Sequence, residues 1–162
     1  MKTVSGGIKL LLSFAMTCAM ASVGRAQTFT VLYSFTGGTD GGGVWGSVVM
    51  DKQGNLYGTT TGGGAYGYGT VFELSPNGDG TWTEIVLHSF KNGDPDGQEP
   101  EANLVLDAAG NLYGTTPTGA KHNVGSAFEL TPGSSGWSLT LLYSFGGYKG
   151  DAGPPRGGLL MD

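Results

Sequence analysis

Two glutamates are the first residues whose chemical type could support catalysis. Glu73 stands in GTVFELSP (69–76), and Glu129 stands in GSAFELTP (125–132). A pair of carboxylic acids flanking a sugar linkage is the machinery of glycoside hydrolysis. The two segments are copies of each other, however, so both glutamates occupy the same place in a repeated unit. We therefore expect each to do the same structural work rather than to act as an acid–base pair.

The segment NGDPDG (92–97) is a second place where spacing indicates chemistry. Asn92, Asp94 and Asp96 put oxygen atoms at alternate positions and a glycine follows, as in the opening half of a calcium loop. The twelfth position is Asn103, where such a loop carries a bidentate glutamate. The favoured interpretation is an acidic surface turn, with calcium at Asn92, Asp94 and Asp96 as the weaker alternative. We expect no other cofactor.

The sequence gives little support for a zinc site or for a catalytic serine or cysteine nucleophile. The chain has a single cysteine, Cys18, and its two histidines, His88 and His122, lack the spacing of a zinc site. His88 stands where the equivalent segments carry tyrosine, so we expect it to fill a half-buried aromatic position. No serine has a histidine and an aspartate arranged for it. We predict no catalytic residue and no enzymatic activity in this chain.

Two short loops differ between otherwise matching segments. AYGYG (65–69) and AKHNV (120–124) occupy equivalent places after glycine-rich or threonine-rich stretches. Tyr66 and Tyr68 could stack on the apolar faces of sugar rings. The interpretation that we favour is that these tyrosines contact only neighbouring parts of the fold.

Apart from Cys18, these residues lie in an internal repeat of about 55 residues. LYSF (32–35), LHSF (87–90) and LYSF (142–145) follow one another at intervals of 55. VVMDKQGNLYGTT (48–60) returns as LVLDAAGNLYGTT (104–116), identical at nine of 13 positions. Self-similarity at a fixed period indicates a repeat architecture, in which each unit packs on its neighbours.

The sequence of each repeat predicts four short antiparallel strands. The first two form a hairpin that Asp51 opens through its side chain and Gly54 closes in the left-handed conformation. GTVFEL is the third strand, and NGDG (77–80) turns the chain into the fourth. Simple alternation along the fourth strand predicts that Val86 shares a face with Phe90, while Leu87 points the other way.

The predicted fold class is therefore all-β, with tandem four-stranded antiparallel repeats. Apolar residues on both faces of a strand indicate a sheet covered on both sides. Blades of a β-propeller, incomplete in this chain, satisfy that requirement, and a linear stack of β-repeats is the alternative. The repeat region is expected at 27–162, with repeats at about 36–90 and 91–145 and a partial third at 146–162.

The first 26 residues predict a signal peptide. Lys2 and Lys9 precede the apolar run LLLSFAMTCAMASV (10–23), and small residues allow cleavage after Ala26. The run is about 14 residues, shorter than the roughly 20 that a membrane-spanning helix needs. We therefore expect an exported protein with no transmembrane segment in its mature part.

The net negative charge of the chain argues against two classes of partner, nucleic acids and anionic membranes. The chain has eight basic and 13 acidic residues, and three of the basic ones (Lys2, Lys9 and Arg25) leave with the signal peptide. The remaining formal charge of −8 gives no electrostatic footprint for nucleic acid or anionic membranes. Cys18 leaves as well, so no disulfide is expected despite an oxidising destination.

GNLYGTT, followed by a glycine-rich stretch, GTVFEL, LYSF and the pattern DGxxPxAxL, resembles the GloVer tandem repeat of exported bacterial proteins. The resemblance covers residues 28 to 162, although Val44 stands where the later repeats carry Pro100 and Pro155. It implies a surface-associated or secreted protein with many repeats, commonly ending in a sorting anchor. It implies no particular chemistry.

Three hypotheses for function follow. The first is a noncatalytic extracellular scaffold, a binding or adhesion module for a glycan or a surface protein, present here as a fragment of a longer protein. The second is a fragment of a secreted propeller enzyme that acts on polysaccharide. The third is a nonfunctional truncated copy.

Overall fold

The computed structural model describes residues 28–161, and the regular secondary structure in that range is all β-strand. The predicted signal peptide, residues 1–26, lies outside the described residues. Val31–Asp162 forms one compact unit, which contains both repeats. Over the described residues, no helix has the length and apolar character needed to cross a membrane.

Eight strands form two four-stranded antiparallel sheets, as the repeat predicts. Sheet I contains β1 (Val49–Met50), β2 (Leu56–Thr60), β3 (Thr70–Pro76) and β4 (Trp82–Ser89), and sheet II contains β5 (Val105–Leu106), β6 (Leu112–Thr116), β7 (Ser126–Gly133) and β8 (Gly136–Ser144). In each sheet the strands lie in chain order. The strands lengthen from two residues at one edge to eight or nine at the other.

The two sheets have the same register, which defines two faces for each. We call the A face the side that carries the tyrosine of GNLYGTT, Tyr57 or Tyr113. The B face is the side that carries the leucine before it, Leu56 or Leu112. Side chains alternate between the faces of a strand, so every equivalent position faces the same way in both sheets.

A close approach explains the glycine in the middle of the repeated heptapeptide. The ring of Phe72 on β3 lies across Gly58, and a Cβ atom placed there would be 2.6 Å from the phenylalanine Cζ. At Gly114 the corresponding distance to Phe128 would be 2.5 Å. Any larger residue would therefore push the phenylalanine out of the B face.

The prediction that Val86 shares a face with Phe90 is wrong. A register shift between Val71 and Phe72 places a β-bulge in the pairing of β3 with β4, and the same shift recurs in sheet II. Val86 is thereby paired with Phe72, on the B face, while Leu87 packs against the same core as Phe90. A bulge adds one residue to one strand and so reverses the alternation beyond it.

The A face of sheet I packs on the B face of sheet II. Tyr57, Val71 and Phe90 from the first repeat join Phe128 and other apolar residues of the second in one buried cluster. The ring of Tyr57 lies 6.3 Å from that of Trp137, and the ring of Phe90 lies 5.4 Å from that of Phe128. The two sheets are stacked face to face and do not close into a ring.

Candidate functional site

A cleft of about 640 Å³ lies between the sheets, where the β1–β2 and β5–β6 turns meet. Met50–Gln53 and Tyr57 line it from sheet I, and Leu106–Gly110 lines it from sheet II. The cleft is built from equivalent turns of two stacked repeats and contains Asp51 and Asp107. Its chemistry depends on whether those two carboxylates are free to act on a ligand.

Both oxygens of Asp51 are engaged by its own turn. Oδ1 accepts the backbone N–H groups of Gln53 at 2.8 Å and Asn55 at 2.9 Å. Oδ2 accepts the side-chain amide of Asn55 at 2.9 Å and the hydroxyl of Tyr57 at 3.0 Å. Burial acts to raise the pKa of Asp51, but these hydrogen bonds outweigh it and hold the pKa below its ordinary value. Asp51 is therefore a fixed anion that stabilises the hairpin.

Asp107 repeats this arrangement. It accepts the N–H groups of Ala109 and Asn111 at 2.8 Å each, the amide of Asn111 at 2.8 Å and the hydroxyl of Tyr113 at 3.2 Å. The backbone hydrogen bond from Asn111 is the main cause of its lowered pKa. The prediction that Asp51 opens the turn is confirmed, and Asp107 opens the equivalent turn of the second repeat. A carboxyl with a lowered pKa is also a poor proton donor at neutral pH.

The tyrosine of the motif completes each turn. Burial, with the nearby charge of Glu73, raises the pKa of Tyr57 well above its ordinary value, so its hydroxyl stays a donor. Tyr113 has a raised pKa chiefly because it donates a hydrogen bond of 3.0 Å to Glu129. Tyr57 is only 7% exposed because sheet II covers it. The hydroxyls link each turn to its sheet.

Glu73 and Glu129 lie in equivalent positions of separate sheets. Each pairs across the strands with the tyrosine of its own repeat, Tyr57 or Tyr113. Glu73 accepts a hydrogen bond from the hydroxyl of Ser75. The expected structural equivalence of the two glutamates is thus present in the register.

A second set of aspartates holds the backbone just after each LYSF or LHSF segment, a contact that we call the clamp and that sequence reasoning missed. Asp40, Asp96 and Asp151 each accept a backbone N–H just after an LYSF or LHSF segment. The donor atoms are the amides of Thr36 at 2.8 Å, Lys91 at 3.0 Å and Gly146 at 2.8 Å. The signal in the sequence was the constant interval of 11 residues from each of these aspartates to the next recurring position of the repeat, Asp51, Asp107 or Asp162.

The same aspartates contact the aromatic residue within LYSF or LHSF. Tyr33 donates to Asp40 at 3.3 Å, and Tyr143 donates to Asp151 at 3.0 Å. In the middle repeat the contact is made by His88, whose Nε2 lies 3.3 Å from Oδ1 of Asp96.

His88 takes the aromatic position that its alignment with tyrosine predicts. Its ring meets the edge of Phe90 at 4.9 Å, as Tyr33 meets Phe35 and Tyr143 meets Phe145, each at 5.0 Å. The expected half-buried aromatic position is confirmed, with the side chain of His88 17% exposed.

The loop 92–97, predicted to be either a surface turn or a calcium site, contributes Asp96 to the contacts with His88 and Lys91 described above. Asp96 is only 6% exposed, and its two oxygens face His88 and the N–H of Lys91. Asp94 is exposed, and Asn92 has a φ of 66°. Within residues 28–161, no group of three or more histidine, cysteine, aspartate or glutamate side chains is placed to hold a metal ion. Calcium at Asn92, Asp94 and Asp96 stays a prediction.

The two variable loops lie on the surface. Tyr66 is 54% exposed, and the ammonium of Lys91 lies 5.7 Å from the centre of its ring, within the range of a cation–π contact. In the second repeat, Lys121 and His122 are exposed and line a recess of about 430 Å³ with Tyr143 and Tyr148. These loops present side chains that are not used by the turns or by the clamps.

Comparison with protein-family models gives a match over most of the chain. The family model described as Gloeobacter/Verrucomicrobia repeat matches residues 19–162. Neither a curated protein nor a solved structure matches the chain.

Proposed function

The chain belongs to the Gloeobacter/Verrucomicrobia repeat family, and from that premise we propose that it is an exported, noncatalytic binding scaffold. Stacked β-sheet repeats form the body of the scaffold, and the variable loops at 65–69 and 120–124 provide its contacts with a glycan or a surface protein. The basic and apolar segment at 1–26 supports export.

One observation carries the proposal: the repeated polar residues stabilise the repeat, and the loops that differ are exposed. Asp51 and Asp107 serve their own turns in the same way. By contrast, Tyr66 and Tyr68 in one loop and His122 in the other present side chains to solvent. Repetition favours a structural role for the first group, and exposure without such a role favours recognition for the second.

The sheets also support a propeller-like arrangement of the scaffold. Their strands follow chain order and lengthen from the edge of β1 and β5 to the edge of β4 and β8. A fan of four antiparallel strands packed face to face on the next fan is the form of a propeller blade. Electron microscopy of a longer tandem array of this repeat tests this, because a propeller would close into a ring and a linear stack would give an extended particle.

Binding is tested with the exported protein on a glycan array and on isolated envelope fractions. We expect Tyr66→Ala with Tyr68→Ala to reduce binding at least about tenfold, as the loss of aromatic contacts would. Trp45→Ala is the matched control, since Trp45 is 75% exposed and lies outside both loops. Retention of the protein in the cytoplasm, or unchanged binding by the tyrosine variant, would refute the proposal.

A further inference from the structure

The A face of sheet I is covered by the B face of sheet II, and this contact shows how one repeat packs on the next. On sheet I, Tyr57 and Val71 are 7% and 0% exposed because the B face of sheet II lies over them. Val49 and Leu87 pack against the same cluster. An A face is therefore covered by the B face of the repeat that follows.

The A face of sheet II carries the same pattern without that cover. Val105, Tyr113 and Leu142 correspond to Val49, Tyr57 and Leu87 of sheet I. Leu142 is 49% exposed and Tyr143 is 40% exposed. These two large side chains stand next to each other on β8, so the uncovered area is continuous along this strand.

The chain beyond β8 follows the path that leads from sheet I into sheet II. Phe145 donates its N–H to the carbonyl of Gly125 at 2.9 Å, as Phe90 does to Gly69 at 3.0 Å. Gly146 donates to Asp151 as Lys91 donates to Asp96.

Further along, the hydroxyl of Thr115 donates to the carbonyl of Gly157 at 3.3 Å. The hydroxyl of Thr59 donates in the same way to Ala102 at 3.5 Å. Residues 146–157 are thus laid against sheet II as residues 91–102 are laid against sheet I.

The path leads to a strand position that has no partner among residues 28–161. Leu160 and Met161 correspond to Val105 and Leu106, which pair with Tyr113 and Leu112 of β6. Leu160 is fully exposed and Met161 is 50% exposed. These two adjacent apolar residues stand at the position of a short first strand, like β1 and β5, and have no neighbouring strand among residues 28–161. They therefore offer free backbone hydrogen-bonding groups together with apolar surface.

We propose that the A face of sheet II, together with Leu160 and Met161, is the docking surface for a third repeat sheet. The partner is a three-stranded sheet with the pattern of β6, β7 and β8. Leu160 and Met161 supply its first strand, and its B face covers Tyr113, Leu142 and Tyr143. The docked sheet would cover Leu142 and Tyr143 in the recess beside Lys121 and His122. The loop itself can stay accessible, because Tyr66 in the equivalent loop is exposed although sheet II covers sheet I.

A second copy of the chain is the less suitable partner. Its B face is that of sheet I, where its own Phe35 lies 4.7 Å from Phe72. On sheet II the equivalent place, against Phe128, is taken by Phe90 of the preceding repeat. Phe145 of the chain whose sheet II is covered would need the space against Phe72 that Phe35 of the second copy already fills.

The test extends the full chain by a copy of residues 108–145 joined directly after Asp162. This junction continues the alignment, because Asp162 corresponds to Asp107. We expect the extended chain to unfold in one transition with a thermal midpoint higher by about 5 °C or more. The added copy of Trp137 should pack on Tyr113, as Trp137 packs on Tyr57, and its fluorescence should shift to shorter wavelength.

Leu142→Asp in the extended chain should abolish both the rise in midpoint and the fluorescence shift. Ile85→Asp is the matched control, because Ile85 is also 49% exposed but lies on sheet I. It should leave the effect of the extension unchanged. An extension that unfolds separately, or a rise that survives Leu142→Asp, overturns the proposal. Concentration-dependent association of the unextended chain, abolished by Leu142→Asp, would assign the surface to a second copy and overturn it equally.

Discussion

Sheet I and sheet II carry the same heptapeptide in different surroundings. Tyr57 is buried beneath sheet II, whereas Tyr113 on the same face of sheet II is only partly buried. Leu87 packs against the shared core, whereas its counterpart Leu142 is half exposed. The difference teaches that position in the stack, and not the motif, decides how much of a repeat is buried. The stability of each repeat therefore depends on the one that follows it.

The largest expected effect comes from removing the ring at the centre of the shared core. Phe128 is 1% exposed and lies against Phe90 of the preceding repeat. We expect Phe128→Ala to lower the free energy of unfolding by about 3–5 kcal/mol, the usual cost of such a cavity. Urea unfolding followed by tryptophan fluorescence measures the loss. A loss below about 1 kcal/mol would mean that the two sheets do not share a core.

A second prediction compares the two tyrosines of the motif directly. Tyr57→Ala should cost about 3 kcal/mol, since it opens a cavity beneath Trp137. Tyr113→Ala should cost clearly less, because no sheet among the described residues covers it. Urea unfolding of both variants gives the two values. Equal losses would contradict the view that stacking, and not the hairpin, determines the role of the tyrosine.

The repeat, its strands and its turns could be predicted from the sequence because they depend on local chemistry. Asp51 and Gly54 mark a hairpin wherever they occur at that spacing. The bulge beside Phe72 could not be predicted, because alternation gives no sign of an extra residue in one strand. The contact between His88 and Asp96 was missed for a related reason. It depends on how a loop folds back, and the spacing of the two residues does not specify that.

The third prediction concerns a position on the B face where one sheet has an apolar residue and the other has a glutamate. Leu139 packs against the core of sheet II, whereas sheet I has Glu84 at the corresponding place opposite β3. Oε1 of Glu84 is buried without a hydrogen-bond partner, and burial followed by the charge of Asp40 raises the pKa of Glu84. Glu84→Leu should therefore raise the free energy of unfolding at neutral pH by about 1 kcal/mol, given its partial exposure.

The pH dependence of the stability gained by Glu84→Leu shows whether it comes from removing the charge or from better packing. A carboxyl with a raised folded-state pKa destabilises the fold when ionised, and this penalty disappears as the pH falls through the folded pKa. The advantage of Glu84→Leu should thus shrink in acid. Glu84→Gln, which removes the charge but keeps the shape, should reproduce the pH-dependent part. A gain that is constant with pH would show that packing alone is responsible.

The smallest effect is expected at the clamp that joins the repeats. Asp96 is buried, and its pKa is lowered because contacts with His88 and the N–H of Lys91 outweigh the effect of burial. Asp96→Asn should lower the free energy of unfolding at neutral pH by roughly 1 kcal/mol, the scale of one buried hydrogen bond. Asp151→Asn is the matched control, because Asp151 makes the same backbone contact in an exposed setting, and it should cost less.

The sign of the pH dependence follows from the lowered pKa of Asp96. Its stabilisation is present above the unfolded pKa of about 3.9 and is lost as the pH falls through the lower folded value. The difference between the protein and Asp96→Asn should therefore be present above pH 4 and vanish well below it. Unfolding curves measured across that range decide the point. If the difference persists at the lowest pH, the asparagine disrupts the loop itself, and the clamp between repeats does not depend on the charge of Asp96.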